Sequence, residues 1–170
     1  MYIDDCKHSF EELAASVLPA YMEQLEKALA NRRPARAFAV AGQGRAAIAR
    51  RLGLETDFSG CYVFVDGEEP IYVGISRGVI TRIRQHLCGR THFDASLAYA
   101  MARKTPGTKG SRKSLMERAA FQAVFNERRD YLRRLDVAYI GIVNPVELYV
   151  FEAYAALSLR THEWNTFRTH

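Results

Sequence analysis

The chain lacks the features that mark membrane-spanning, secreted and disulfide-rich proteins. No apolar run within its 170 residues approaches the roughly 20 that a membrane-spanning helix requires. The first ten residues are polar and include two Asp, so we expect no signal peptide. The three cysteines, Cys6, Cys61 and Cys88, are an odd number without the spacing of metal ligands. Together these absences predict free thiols in a reducing, cytoplasmic protein with no membrane contact.

What the sequence does have is basic charge concentrated in one segment. Residues 77–134 hold fourteen Lys or Arg against four Asp or Glu, a net charge of +10, whereas the rest of the chain carries −5. Such a local excess is typical of a surface that binds a polyanion such as nucleic acid. The alternative is a solvated helix face that happens to be rich in arginine.

The pattern of apolar residues predicts a mixed α/β chain. Residues 9–33 have apolar side chains at helical spacing, with Ser9 as the cap and Glu12 as its capping-box partner. "CYVFV" and "IYVGI", separated by "DGEEP", predict a β-hairpin with a longer loop, and "GVITRIRQHL" predicts the helix that follows. "DVAYIGIV" predicts a third strand, and Asn144 before Pro145 marks the start of the last long helix.

This order of elements predicts two regions. Residues 1–57 form an N-terminal helical extension, whose helices are candidates for forming a homodimer or contacting DNA. Residues 58–170 form a β-β-α-β-α domain with a helical insertion at about 91–134.

Several short motifs in the second region resemble those of the GIY-YIG nuclease superfamily. In chain order they are Gly60-Cys61-Tyr62, Tyr72-Val73-Gly74, Arg82, His86, Glu152 and Asn165. Ten residues separate the two Tyr, and Arg82 follows Tyr72 by another ten. The resemblance covers residues 58 to about 167. It implies an α+β fold with a small three-stranded antiparallel sheet flanked by helices, and metal-dependent endonuclease activity on DNA phosphodiester bonds.

The two tyrosines of these motifs belong to one strand pair. Successive side chains of a strand point to opposite faces. If Val63 and Val73 face the core, Tyr62 and Tyr72 emerge together on the other face, and Gly74 leaves open space beside Tyr72. The resemblance implies that Tyr62, or else Tyr72, takes a proton from the attacking water. The alternative is that both are half-buried packing residues, which are common in hairpins.

Arg82 and His86 are four residues apart, so they project from one face of the predicted helix. An Arg at this place can donate two hydrogen bonds to a phosphate, and a His can donate one or transfer a proton. The alternative is a solvated helix face, an interpretation that suits Arg77 and Arg84 better. The residues that we expect to contact nucleic acid are Arg77, Arg84, Lys109, Arg112 and Lys113.

Glu152 is the candidate metal ligand. It is surrounded on its predicted helix by apolar residues, and a buried carboxylate is costly unless it is paired or bound to a metal. Mg²⁺ or Mn²⁺ suits a site with a single carboxylate, while a salt bridge, for example with Arg82, is the alternative. Glu147 is a weaker candidate because acidic residues in a first turn merely complement the helix dipole. The resemblance implies that Asn165 steadies the local structure.

The sequence thus predicts a Mg²⁺- or Mn²⁺-dependent DNA endonuclease. One alternative is a nucleic-acid-binding module that retains the fold without cleaving. Another is a structural α/β domain whose basic helices bind an acidic protein.

Overall fold

The computed structural model describes residues 3–167. Its strands are β1 (Arg33–Pro34), β2 (Gly60–Asp66), β3 (Glu69–Ser76) and β4 (Asp136–Gly141). Its helices are α1 (Phe10–Glu12), α2 (Leu18–Ala30), α3 (Arg45–Arg51), α4 (Val79–Cys88), α5 (Ser96–Arg103), α6 (Arg112–Met116), α7 (Ala119–Arg134) and α8 (Pro145–Ser158). A π-helical segment, Leu13–Val17, joins α1 to α2. Within residues 3–167, no helix has both the length and the apolar character needed to cross a membrane.

The strands form one sheet in the order β1-β4-β2-β3. β2 lies in the middle and pairs antiparallel with both β3 and β4. The predicted α/β class and all three predicted strands are therefore confirmed. The predicted strand number is wrong, because the sheet has a fourth strand, β1, of only two residues. An Arg-Pro pair carries no alternation of apolar and polar residues, so no sequence pattern marks it as a strand.

The β2–β3 hairpin has a tighter turn than predicted. Asp66 pairs with Glu69, which leaves only Gly67 and Glu68 between the strands. Gly67 has φ +56°, a conformation that residues with a side chain rarely adopt. The expected longer loop is wrong because Glu69 and Pro70 already belong to β3. Pro70 is tolerated there because β3 is an edge strand.

Two predicted helix caps, Ser9 and Asn144, are confirmed, whereas the sequence also suggested Ser114, which lies inside α6 while Ser111 caps that helix. The Glu12 amide donates to Ser9 Oγ (3.2 Å) and the Ser9 amide donates to Glu12 Oε2 (2.7 Å), a complete capping box. At the start of α8, Asn144 Oδ1 accepts from the amides of Val146 and Glu147. These caps satisfy backbone donors that have no partner within the helix.

The chain divides into two compact units that are interleaved in sequence. The first unit comprises Met1–Arg33, Asp57–Val79 and Asp136–His170. In its core, Val63 and Val73 of the hairpin pack with Leu25 of α2 and Phe151 of α8. The N-terminal helices therefore bury their apolar face within their own chain. The expected homodimer through these helices stays a prediction.

The second unit comprises Pro34–Thr56 and Ile80–Leu135. It is helical, and α5 packs on α7, where the rings of Tyr99 and Phe121 meet edge to face at 5.5 Å. The two units follow a different division from the predicted regions 1–57 and 58–170. That residues 1–57 and 58–170 are separate domains stays a prediction.

Candidate active site

The hairpin places its two motif tyrosines on one face. Val63 and Val73 lie in the core of the first unit, and the rings of Tyr62 and Tyr72 meet on the opposite face with centroids 6.3 Å apart. The side-chain alternation expected from the sequence is thus present. The two rings differ in exposure, because Tyr62 is only 1 % exposed while Tyr72 is half-buried.

The absence of a side chain at Gly74 leaves the space that the Tyr62 ring occupies. It stands directly opposite Tyr62 in the strand register. A Cβ atom at position 74 would lie 2.4 Å from Cζ and Oη of Tyr62, closer than real Cβ contacts allow. We expected open space next to Tyr72, but this space is filled by the neighbouring tyrosine. Only glycine lets the phenol ring lie across β3 at this point.

Asn165 is bound to the outer edge of β3. Its Oδ1 accepts from the Val73 amide (2.9 Å) and its Nδ2 donates to the Val73 carbonyl (2.8 Å). The Asn165 side chain therefore makes the two backbone hydrogen bonds that a neighbouring strand would otherwise make with Val73. These bonds hold the segment around Asn165 to β3, and the expected role near an active site stays a prediction.

Glu152 lies on α8 in a cavity of about 460 Å³ at the end of the hairpin where β2 begins and β3 ends. Its neighbours in the lining include Ser59, Ile75, Ser76, Arg77 and Tyr149. Glu152 itself is half-buried and Arg77 is exposed. The lining of the cavity thus combines one carboxylate with the hydroxyl groups of two serines and one tyrosine and with a guanidinium group.

The carboxylate of Glu152 has no compensating partner among the described residues. Within residues 3–167 it makes neither an ion pair nor a hydrogen bond, so the salt-bridge alternative finds no support there. Burial raises the pKa of Glu152 above its ordinary value. The pKa of the nearby Cys61 thiol is also raised, mainly by burial and to a smaller extent by the charge of Glu152.

The hairpin separates Glu152 from the tyrosines. Cys61 and Ile75 are cross-strand partners, and Ile75 lines the Glu152 cavity. Side chains at these two positions point away from the face that carries Tyr62. Glu152 is therefore on the core-side face of the hairpin, and Tyr62 and Tyr72 are on the other.

Glu147 has a role that its position in the first turn of α8 did not reveal. It is only 7 % exposed, and its carboxylate accepts from Tyr21 Oη at 2.6 Å and contacts His8 Nδ1 at 2.9 Å. Burial and this carboxylate raise the pKa of Tyr21, which keeps the phenol a neutral donor. The interpretation of Glu147 as a mere complement to the helix dipole is incomplete. Its partners are 126 and 139 residues away in the chain, so no local pattern could have found them.

Arg82 belongs to the second unit, where its guanidinium group is bound to the segment that follows α4. Nη1 donates to the Asp94 carbonyl (3.0 Å) and to Gln85 Oε1 (3.1 Å). Nη2 donates to Ser96 Oγ (2.7 Å). These bonds give Arg82 a structural function in its own unit, and the predicted contact with a phosphate stays a prediction.

His86 lies in the same helix and is fully buried. Burial, with a smaller contribution from the Arg82 charge, lowers the pKa of His86 to about 3. The imidazole is therefore neutral at physiological pH and offers no positive charge. The predicted hydrogen bond or proton transfer to a substrate stays a prediction, which the burial does not favour.

The residues expected to contact nucleic acid fall into two groups. Arg84 donates to the Gln43 carbonyl at 2.9 Å, a contact within the second unit. Lys109, Arg112 and Lys113 are exposed, at or next to the start of α6, where Ser111 Oγ accepts from the Ser114 amide. These three residues and the exposed Arg77 of the Glu152 cavity are therefore better candidates for phosphate contacts than Arg84.

Comparison of the chain with protein-family models, with curated proteins and with solved structures finds no match.

Proposed function

We propose that the chain is a metal-dependent endonuclease that hydrolyses DNA phosphodiester bonds, with Glu152 as the ligand of Mg²⁺ or Mn²⁺. The observation that carries this proposal is the half-buried carboxylate of Glu152 in a cavity of about 460 Å³, without an ion pair in the part of the chain that the structure describes. Burying such a group costs stability, and a metal ligand is one of the few roles that offset the cost.

The cavity suits a hard cation. Mg²⁺ keeps most of its waters and takes only one or two carboxylates. The hydroxyl groups of Ser59 and Ser76 line the cavity beside Glu152 and can form hydrogen bonds with those waters. A bound ion would polarise the scissile phosphate and stabilise the leaving oxygen. The exposed Arg77 lines the same cavity and can donate two parallel hydrogen bonds to phosphate oxygens.

A tyrosine is the proposed general base. Both tyrosines lie on the hairpin face opposite Glu152. Tyr72 is half-buried, whereas Tyr62 is 1 % exposed, so Tyr72 is the one that water can reach directly. Burial therefore leads us to prefer Tyr72 over Tyr62, the reverse of the order expected from the resemblance.

The second unit supplies the charge for binding DNA. Over the full sequence, its two segments contain seventeen Lys or Arg and five Asp or Glu, a net charge of +12. Lys109, Arg112 and Lys113 are exposed members of this set. Cations that neutralise phosphates release bound counterions, so the affinity for DNA should fall steeply as salt rises.

The state of the cysteines fits the proposed cytoplasmic setting. Cys6, Cys61 and Cys88 are all free thiols, and Cys88 is exposed. An exposed free thiol persists where the compartment keeps thiols reduced.

The second candidate function is a nucleic-acid-binding module without catalysis. It is favoured by the internal hydrogen bonds of Arg82 and by the complete burial of His86, since neither side chain is presented to a substrate. Both candidates share the basic second unit. They differ only in whether Glu152 holds a metal that takes part in cleavage.

Cleavage assays on a panel of DNA structures separate the candidates. Single-stranded, double-stranded and branched DNA are incubated with Mg²⁺, with Mn²⁺ or with a chelator, and a gel shift records binding. We expect metal-dependent cleavage that falls by about 10³-fold or more in Glu152→Gln, because a metal supplies several kcal/mol of transition-state stabilisation. Glu23→Gln, an exposed position on α2, is the matched control and should cut like the parent.

Three outcomes contradict parts of the proposal. Binding without cleavage of any substrate would support the non-catalytic module. Equal cleavage by Glu152→Gln and the parent would remove Glu152 as the metal ligand. Absence of any DNA binding would favour the structural domain that binds an acidic protein.

A further inference from the structure

Cys6, His8 and Glu147 form a cluster of metal-binding side chains in the first unit. Cys6 Sγ, a ring nitrogen of His8 and a carboxylate oxygen of Glu147 all lie within 4.8 Å of one another. Cys6 and Glu147 are buried, at 6 % and 7 % exposure, whereas His8 reaches the surface. None of the three lines the cavity that holds Glu152.

We propose that this cluster is a Zn²⁺ site with Cys6, His8 and Glu147 as its three protein ligands. Thiolate, imidazole and carboxylate are the donor types that zinc takes in proteins. The same set disfavours Mg²⁺, which requires oxygen donors, because a thiolate selects softer cations. The site is therefore chemically distinct from the one proposed at Glu152, and it does not depend on the nuclease proposal.

The distances are compatible with a tetrahedral ion after a small adjustment. Zinc bonds of about 2.3 Å to sulfur and about 2.0 Å to nitrogen or oxygen place tetrahedral ligand atoms about 3.3–3.6 Å apart. His8 Nδ1 is 2.9 Å from Glu147 Oε1, and Cys6 Sγ is no more than 4.8 Å from either partner. Shifts of about 1 Å suffice, and the His8 side chain, 42 % exposed, has room to make them.

The surroundings hold the two buried ligands in place. Tyr21 Oη donates to Oε2 of Glu147 at 2.6 Å, which fixes the carboxylate and leaves Oε1 directed at His8. Outer hydrogen bonds of this kind orient metal ligands and raise metal affinity. Asn144 Nδ2 donates to the Asp4 carbonyl (3.0 Å), which attaches the segment that carries Cys6 and His8 to the start of α8.

An ion pair between His8 and Glu147 is the competing explanation. It accounts for two of the residues, but it gives Cys6 no function beyond filling the core. Within residues 3–167 the thiol makes a single hydrogen bond, a contact of 3.7 Å from Sγ to the His8 carbonyl. A zinc ion would be coordinated by all three side chains.

A bound zinc would join two distant parts of the chain and keep one position open. Residues 6–8 would be cross-linked to Glu147, which lies 139 residues beyond His8. Three protein ligands leave the fourth position for water or an external ligand. Of the three ligands, Glu147 also lines a second cavity of about 460 Å³, together with Tyr21 and Asn144.

Titration of metal-free protein with Co²⁺ tests the site. The Cys88→Ser variant is the background, since it removes the exposed thiol. We expect one equivalent of Co²⁺ to give the visible bands of a tetrahedral ion and a thiolate-to-cobalt charge-transfer band. Zn²⁺ should abolish both, and excess Mg²⁺ should not. Zn²⁺ should also raise the Tm of this protein, because it binds only the folded state.

Variants assign the ligands. Cys6→Ser should remove the charge-transfer band, and His8→Asn should weaken Zn²⁺ binding by more than the roughly 10–100-fold that loss of an outer hydrogen bond causes. Tyr21→Phe should fall within that range. His162→Asn, an exposed histidine of the same unit, should bind like the parent.

His8→Asn changes an exposed residue, so it reports on the site even if Cys6→Ser fails to fold. Two results would overturn the proposal: no cobalt spectrum in the Cys88→Ser background, or equal Zn²⁺ affinity in His8→Asn and His162→Asn. Either would leave the His8–Glu147 ion pair as the whole function of the cluster.

Discussion

The two compact units of this chain use charge in opposite ways. Counted over the full sequence, the first unit holds seven Lys or Arg and fourteen Asp or Glu, a net charge of −7, whereas the second carries +12. The overall value of +5 averages these two numbers and describes neither unit. A small net charge can thus conceal a surface suited to a polyanion.

The units also differ in the ion pairs and hydrogen bonds that their charged side chains make. In the first unit, Glu152 is half-buried without an ion pair in the described part of the chain. In the second, arginines donate to backbone carbonyls: Arg129 to Gly89 (2.6 Å) and Arg133 to Leu87 (2.9 Å). A hydrogen bond to a neutral carbonyl leaves the charge of an arginine in place but occupies its donors. A count of arginines therefore overstates the number of guanidinium groups that are free to donate to a ligand.

The largest effect that would sharpen this comparison concerns the tyrosines of the first unit. If a phenol acts as general base, its loss costs about 10²–10⁴-fold in the rate of single-turnover cleavage. We expect this loss for Tyr72→Phe and a smaller one for the buried Tyr62→Phe, with little change in Tm because the rings are kept. Tyr154→Phe is the control. Full activity in both motif variants would show that the tyrosines only pack.

The next effect concerns the exposed basic residues at the start of α6 in the second unit. Replacing Lys109, Arg112 and Lys113 with Gln should reduce the slope of log affinity against log salt by about 2.7, because each phosphate contact contributes about 0.9. Between about 50 and about 200 mM salt, the variant would then lose about 40-fold less affinity than the parent. An unchanged slope, measured by fluorescence anisotropy, would place the DNA elsewhere.

The Arg82→Gln variant shows whether Arg82 stabilises the second unit or takes part in catalysis. Arg82→Gln removes hydrogen bonds to the Asp94 carbonyl and to Ser96, so we expect a loss of about 1–3 kcal/mol in the free energy of unfolding. Hydrogen exchange should show reduced protection after α4. Arg90→Gln, an exposed position nearby, should show neither effect. Normal stability with abolished cleavage would instead assign Arg82 to the active site.

The smallest effect concerns the stability cost of Glu152. Its folded-state pKa is raised by burial, so the folded protein binds the proton more readily than the unfolded chain and loses stability as pH rises through that pKa. Glu152→Gln should therefore be slightly more stable than the parent at neutral pH. The difference should vanish below the ordinary carboxyl pKa of 4.5. Thermal melts across pH measure this, and a less stable Gln variant at pH 7 would contradict it.

Sequence reasoning succeeded where the determining interactions are local. The alternation in "CYVFV" and "IYVGI" correctly placed Val63 and Val73 in the core, and Ser9 and Asn144 were identified as caps from their immediate neighbours. It failed where partners are distant. β1 forms only because β4 lies beside it, and Glu147 meets His8 and Tyr21 through tertiary packing.

The candidate site shows the same limit. The apolar surroundings of Glu152 indicated a carboxylate in a partly buried place, as found. Helical spacing put Arg82 and His86 on one face, but it could not show that Arg82 binds the backbone of a later loop or that His86 is fully buried. Periodicity gives the direction of a side chain along its own element, not what covers it.

The pairing of Asn165 with β3 has a consequence for how this protein behaves at high concentration. An edge strand with open amides and carbonyls is a template on which other chains add strands and aggregate. Here the amide and carbonyl of Val73 are occupied by the Asn165 side chain, and Pro70 has no amide proton to offer. Asn165 therefore also makes the edge of β3 unavailable for intermolecular β-pairing at Val73.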